Sequence, residues 1–318
     1  MTIIKNIRQI VRVLLLRLFT ILYPISFLLD KRHFLFWEQH GYHISPVFFH
    51  SPLPDTRELT EENYQKKFDL KAININERGQ IALVKLFRRK FFNTYNTLPM
   101  KSTGVPHQYF LTNGAFNSVD GEILYCMVKH FLPKTIIEVG SGNTTYLMAQ
   151  ALSELQKEKG HHCSLTSYDP YPNANVRNGF SEFASLQPVR IQDVERSKFE
   201  ALQKNDILFI DSSHIVKIGS DMQYLFMEVL PHLRKGVIVH FHDIFFPEEY
   251  LRRWFVESYE FWNEQYMLYA FLQYNNAFKV LWGGNYMRVH HPDLLIQSFP
   301  SFQPDIVVPG SFWIQKIA

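Results

Sequence analysis

Two short polar stretches hold the side chains best suited to chemistry. Asp211-Ser212-Ser213-His214 sets a carboxylate and an imidazole three positions apart on one loop, and His242-Asp243 repeats the pair of groups. If the stretches converge, two chemistries open. An imidazole with a pKa near neutrality is a suitable general base, and His214, with Asp211 beside it, is the candidate. Alternatively Asp211 and Asp243, with His242, can grip a hard divalent cation that polarises a substrate hydroxyl. A two-histidine, one-carboxylate set also fits a non-haem iron oxygenase, but that leaves a third stretch, Glu138-Val139-Gly140-Ser141-Gly142-Asn143-Thr144-Thr145, unexplained. There Gly140-x-Gly142 gives a tight turn with close backbone approach, and the helix after it offers free amides to a polar or negative ligand. Asp169 is placed to accept hydrogen bonds from a ribose diol. A dinucleotide fingerprint uses its carboxylate in the same way, but its third glycine is Thr145 here, which weakens the case for NAD.

These residues need a scaffold that brings them to one edge. Short β-branched or apolar runs predict strands over 135–140, 164–168, 189–194, 207–210, 236–241, 278–289 and 311–317, with helices over 146–157 and 223–233 between them. Helices over 61–67 and 80–92 precede them. Seven strands alternating with helices imply an α/β fold, a doubly wound and mainly parallel sheet. Ligands bind such sheets outside the carboxyl ends of the strands. There the sequence places Glu138 to Thr145, Asp169, Asp193, Asp211 to His214, and His242-Asp243. His240, inside a strand, is expected to face the core.

The run Ile136-Ile137-Glu138-Val139-Gly140-Ser141-Gly142, with Tyr168-Asp169 and Asp206-Ile207-Leu208-Phe209-Ile210-Asp211, resembles the class I S-adenosylmethionine-dependent methyltransferases over residues 116–316. The resemblance implies a Rossmann-like seven-stranded sheet with an N-terminal helical extension. It implies that Gly140 and Gly142 pass under the methionine part of the cofactor and that Glu138 helps hold its ammonium end. Asp169 would take the ribose hydroxyls and Asp193 lie near the adenine, with Ser141, Thr144 and Asp211 completing the cofactor set. Asp-x-x-His after the fourth strand and an acid after the fifth are similar to metal-dependent sugar O-methyltransferases of antibiotic tailoring, with His242 standing where a second carboxylate is usual. The chain as a whole resembles a bacterial set of methyltransferases. The expected activity is O-methylation of a small-molecule or saccharide hydroxyl, with His214 as base and S-adenosylmethionine, with or without a divalent metal, as cofactor. The alternatives are a non-catalytic nucleotide-fold scaffold at the membrane and an NAD-dependent oxidoreductase.

Charge and cysteine content narrow the setting. Thirty-three basic against 30 acidic residues leave +3, no footprint for nucleic acid. Cys126 and Cys163 cannot make a disulfide scaffold or a cysteine zinc cluster, so a reducing, cytoplasmic location is expected. Residues 1–29 read as an amphipathic helix with Lys5, Arg8 and Arg12 on one face, short of a bilayer span. It would lie on the inner face of the membrane or pack on the protein. The organisation expected is therefore residues 1–29 as this helix, 30–106 as an extension, and 107–318 as the cofactor-binding domain. Aromatic residues from Phe245 to Tyr266 are expected to form a lid, with Asn263, Glu264 and Gln265 on the acceptor side.

Overall fold

The computed structural model describes residues 9–15, 17–18, 30–177 and 184–318. Two units are distinguished, Met1–Glu61 and Glu62–Ala318. In the first, residues 9–15 and 17–18 are helical and Ile10, Leu14, Leu15 and Leu18 are exposed; the rest of the amphipathic helix expected over 1–29 lies outside the described residues. Helix α1, Lys31–Gln39, follows, its amino end capped by Asp30, which accepts from the Arg32 amide. No described helix is long and apolar enough to cross a membrane.

The second unit is built on a seven-stranded sheet of order β3-β2-β1-β4-β5-β7-β6. Its strands are β1 (Thr135–Val139), β2 (Ser164–Tyr168), β3 (Ala184–Gln187), β4 (Ile207–Ile210), β5 (Ile238–Phe241), β6 (Phe278–Gly283) and β7 (Phe312–Lys316). The first five are parallel, and β7 runs antiparallel between β5 and β6. All four residues of β4, Ile-Leu-Phe-Ile, are buried, as a central parallel strand covered on both faces requires. His240 is buried too, stacked on Phe209 at 3.9 Å, with Nε2 3.1 Å from Ser311 Oγ; burial pulls its pKa far down, and the neighbouring His242 charge adds to this.

Four helices hold the sheet's site edge in place. α2 (Glu77–Tyr95) sends Gln80 to the Gly283 amide at 2.8 Å and is anchored at its start by Asn76 on the Val280 carbonyl. α3 (Asp120–Phe131) is buried along nearly its whole length. α4 (Asn143–Lys159) buries Leu147, Met148, Ala151, Leu152 and Leu155, the expected stripe, and ends at Gly160 with φ +63°. α5 (Glu264–Leu272) buries Glu264, Gln265, Leu268 and Leu272.

Three predicted elements differ. The third strand is 184–187, not 189–194. Pro188 interrupts the ladder, and the Val/Ile-rich segment after it makes a 3-10 turn, Ile191–Asp193, closed by an Arg190–Asp193 fork. The helix expected over 223–233 is a succession of short turns, Asp221–Tyr224, Leu225–Val229 and Leu230–His232, where Pro231 removes an amide donor. The sixth strand stops at Gly283, and Gly284–His290 is helical instead of extended.

Candidate active site

Register decides which side chains meet. Val139 pairs with Tyr168 on one side and with Ile210 on the other, and Ile210 pairs with Phe241. The next residue of each strand therefore emerges at one level: Gly140, Asp169, Asp211 and His242. The order β2-β1-β4 puts the reversal of strand order between β1 and β4, the position where such sheets open a crevice.

The turn after β1 is shaped from within. Gly140 has φ +92°, and a Cβ there would lie 1.9 Å from the Asp211 carbonyl oxygen, so only glycine fits. At Gly142 nothing lies within 4 Å of a Cβ, which leaves open space beside the turn. Glu138 is buried and accepts from Thr144 Oγ1 at 2.6 Å, Thr145 Oγ1 at 2.7 Å and the Ser167 hydroxyl. Thr145 in turn accepts from the Gly142 amide at 2.9 Å. The residue that replaced the third glycine is thus a clamp, and Glu138 organises the loop rather than facing it with free oxygens. Burial raises Glu138 to about 7, against the three hydroxyl donors that lower it.

Two pockets flank this turn. One of about 570 Å³ is lined by Gly140, Ser141, Asp169, Tyr171, Gln192 and Ser212 among others. Asp169 accepts from Ser141 Oγ at 2.6 Å and from the Tyr171 amide at 2.8 Å. Ser212 Oγ is buried without a partner among the described residues. The other, of about 440 Å³, is lined by Ser141, Gly142, Asn143, Thr144 and Tyr146, and both include Ser141 and Asp211. Asp193 is on neither wall: it is bound to Arg190 at 2.8 and 2.9 Å, and Ile191 and Gln192 of the same turn line the pocket in its place.

Beyond Asp211 the strand ends do converge. Asp211 Oδ1 and Asp243 Oδ2 lie between two imidazoles: His214 Nε2 is 3.6 Å from each, and His242 Nδ1 is 3.5 and 3.4 Å away. Asp211, His214 and Asp243 each offer a ligand atom within 4.8 Å of the others. The far side of each ring has its own carboxylate. His214 Nδ1 is 2.9 Å from Glu264 Oε2, and His242 Nε2 is 3.7 Å from Asp120 Oδ2. Asp120 is itself fixed by the Gly310 and Ser311 amides at 2.9 and 3.0 Å. Burial pulls His214 down, but the bond to Glu264 and the charges of Glu264, Asp243 and Asp211 outweigh it and raise it to about 9. Burial likewise opposes ionisation of His242 and Asp211. For His242 the Asp243 and Asp211 charges win and raise it far, and for Asp211 the imidazolium charges win and hold it well below the carboxylate range. Left to itself, then, His214 carries a proton at neutral pH, the opposite of what a resting base needs.

A third cavity, of about 360 Å³, opens against this cluster and is lined by Asp120, His242 and Asp243 on one side and by Phe245 and Trp254 on another. His214 is not on its wall; Trp262 covers that ring at 4.4 Å. The aromatic lid is therefore partly realised. Asn263, Glu264 and Gln265, expected beside the acceptor, hold loops instead: Asn263 accepts from the Val216 amide at 2.6 Å, Glu264 backs His214, and Gln265 accepts from Phe245 N at 2.5 Å. Sequence reasoning missed Asp120 and a buried chain next to it, in which Ser118 and Ser301 hydroxyls lie 2.7 Å apart and Ser301 donates to Glu122. Both serines also line the cavity. Nothing in the sequence marks Asp120; the residue directly before it, β-branched Val119 at φ +71°, stands out only in the backbone.

An uncharacterized protein of Archaeoglobus fulgidus is 24% identical over 169 residues, 51% of this chain and 75% of that protein. Among solved structures, the O-methyltransferase from Bacillus cereus in complex with S-adenosylhomocysteine aligns at 12% identity and a TM-score of 0.37, covering 74% of this chain and 91% of that one. CmcI with magnesium and S-adenosylmethionine aligns at 14% identity and 0.33, covering 71% and 84%. Residues 137–244, which run from β1 through the His242-Asp243 pair, match the family model described as a methyltransferase domain.

Proposed function

We propose that this protein transfers a methyl group from S-adenosylmethionine to a hydroxyl of a small molecule or saccharide. One observation carries the reading: the two pockets at the Gly140 turn meet at Ser141 and Asp211, and Asp211 also belongs to the cluster against which the third cavity opens. A cofactor along the first two and an acceptor in the third would have their reacting atoms on either side of Asp211. The residues fit the cofactor. Asp169 keeps lone pairs for a ribose diol, and the space at Gly142 admits the methionine part. S-adenosylmethionine supplies a sulfonium methyl, so the chain itself must place the acceptor in line and take its proton.

His214 is built for that proton at Nε2, because Nδ1–H directed at Glu264 fixes the tautomer. The proton it now holds is supported by Asp211 and Asp243, the same two carboxylates that a divalent cation would take with His214 or His242. Such a cation would lower the pKa of an acceptor hydroxyl. A second reading exchanges the imidazoles, since His242, backed by Asp120, is the one on the cavity wall. Residues 1–29 are proposed to rest on the inner face of the membrane, in keeping with exposed Ile10, Leu14, Leu15 and Leu18; a chain lacking them should lose vesicle binding.

Calorimetric titration with S-adenosylhomocysteine, and with NAD as control, tests the cofactor. Binding of the thioether alone supports the proposal, and binding of NAD alone overturns it. Turnover of His214→Ala against His242→Ala then separates the two bases, because the variant of the true base loses activity while the other keeps it.

A further inference from the structure

The third cavity has its polarity inside out. Protein interiors are apolar, so the informative cases are buried polar groups and exposed apolar ones, and this cavity has both. Its floor is ionic and hydroxylic: Asp120 is 3% exposed, Ser118 2% and His242 5%. Its outer wall carries an aliphatic stretch. Leu111 is buried, Val307 and Val308 are half-buried, and the wall ends at Met100, 41% exposed, and Ile306, 74% exposed. The floor does not stand open for want of satisfaction, since Asp120 holds two amides and Ser118 a neighbouring hydroxyl. It therefore offers hydrogen bonds of defined direction to a hydroxylated ligand, while the aliphatic part of the rim, set between the exposed Thr112, Arg253 and Gln303, offers apolar contact to the rest of it. At about 360 Å³ the cavity sits at the low end of ligand pockets, roughly 300–1,000 Å³, so a ring-sized head fills it and a longer substituent must leave by the mouth.

Resting on the methyltransferase reading, we infer that the acceptor is an amphiphile, with a hydroxylated head bound at Asp120, His242 and Asp243 and an apolar substituent that leaves over Met100 and Ile306. A plain sugar or a fully polar metabolite would leave the aliphatic wall wet. An alkylated head covers it, and the area removed from water adds to affinity with each methylene that reaches it.

Hexyl and methyl β-D-glucoside, each below its micellar concentration, are the probes, titrated by saturation-transfer NMR into the full chain in the presence of S-adenosylhomocysteine. Methylenes that contact the wall should each tighten binding by up to about fourfold, so that the hexyl glucoside binds at least tenfold more tightly than the methyl one. Ile306→Asp, at a solvent-exposed position, should leave the fold and S-adenosylhomocysteine affinity unchanged and reduce that ratio several-fold. Equal binding of both probes, binding of neither, or a ratio unaltered in Ile306→Asp overturns the inference. Failure of the wild-type chain to bind S-adenosylhomocysteine is a separate result and strikes the cofactor reading instead.

Discussion

The two halves of the strand-end edge solve opposite electrostatic problems. On the β1–β2 side a buried carboxylate, Glu138, is surrounded by neutral donors at 2.6–2.7 Å and a further hydroxyl, and the loop is finished before any ligand arrives. On the β4–β5 side charges face charges at 3.4–3.7 Å, longer than hydrogen bonds, and only His214–Glu264 closes to 2.9 Å. The first half is a finished cradle. The second is an arrangement of donors and acceptors whose distances leave room for something to be held between them, and Glu264 Oε1, buried with no hydrogen-bond partner among the described residues, belongs to it.

That contrast can be broken from either side. The largest effect is expected for Gly140→Ala, where a methyl would meet the Asp211 carbonyl at 1.9 Å and the backbone sits at φ +92°. A loss of about 3 kcal/mol or more in denaturant unfolding is expected, and S-adenosylhomocysteine binding should go with it. Asp169→Ala should weaken that ligand by roughly ten- to a hundredfold in calorimetry, the scale of hydrogen bonds to a charged group, without unfolding the sheet. On the ionic side, Glu264→Gln should lower manganese affinity by roughly ten- to a hundredfold, as removal of a carboxylate behind a ligating imidazole does. An unchanged manganese titration would mean that His214 does not hold the ion.

Acidity sharpens the comparison further. Burial raises Glu138 and Glu122 each to about 7 from 4.5. A folded pKa above the unfolded one gives stability that is full below about 4.5 and is lost as pH climbs through 7, at most about 3 kcal/mol per group. For His214, raised from 6.5 to about 9, the stability is full below 6.5 and lost as pH rises through 9. Melting temperature measured against pH should therefore fall from mildly acid to alkaline pH, and Glu122→Gln should flatten the part between 4.5 and 7. The smallest effect belongs to Asp193→Ala, less than twofold on S-adenosylhomocysteine, because its fork with Arg190 is half exposed and Asp193 itself is off the pocket that Arg190 lines.

What could be read from the sequence was whatever lies next to a strand end. Gly140, Asp211, His214, His242 and Asp243 come within a few positions of an apolar run and Asp169 directly after the mixed strand Ser164–Tyr168, and parallel pairing in register brings these strand ends to one level. What could not be read is what comes from afar. Glu264 reaches His214 across fifty positions and Asp120 arrives on a helix that precedes the whole sheet, so no local spacing marks either. The misplaced third strand has a different cause. Val189 and Ile191 alternate with Arg190 and Gln192 like a strand, while the true one, Ala184-Ser185-Leu186-Gln187, is a short edge strand with little apolar signal.

The absence of a side chain at Gly140 lets two backbones run almost in contact, the turn after β1 against the peptide of Asp211. Close-packed parts transmit displacement instead of absorbing it. A displacement of the turn is therefore passed to the peptide of Asp211, whose carboxylate belongs to the ionic cluster next door, with no side chain between the two to absorb it.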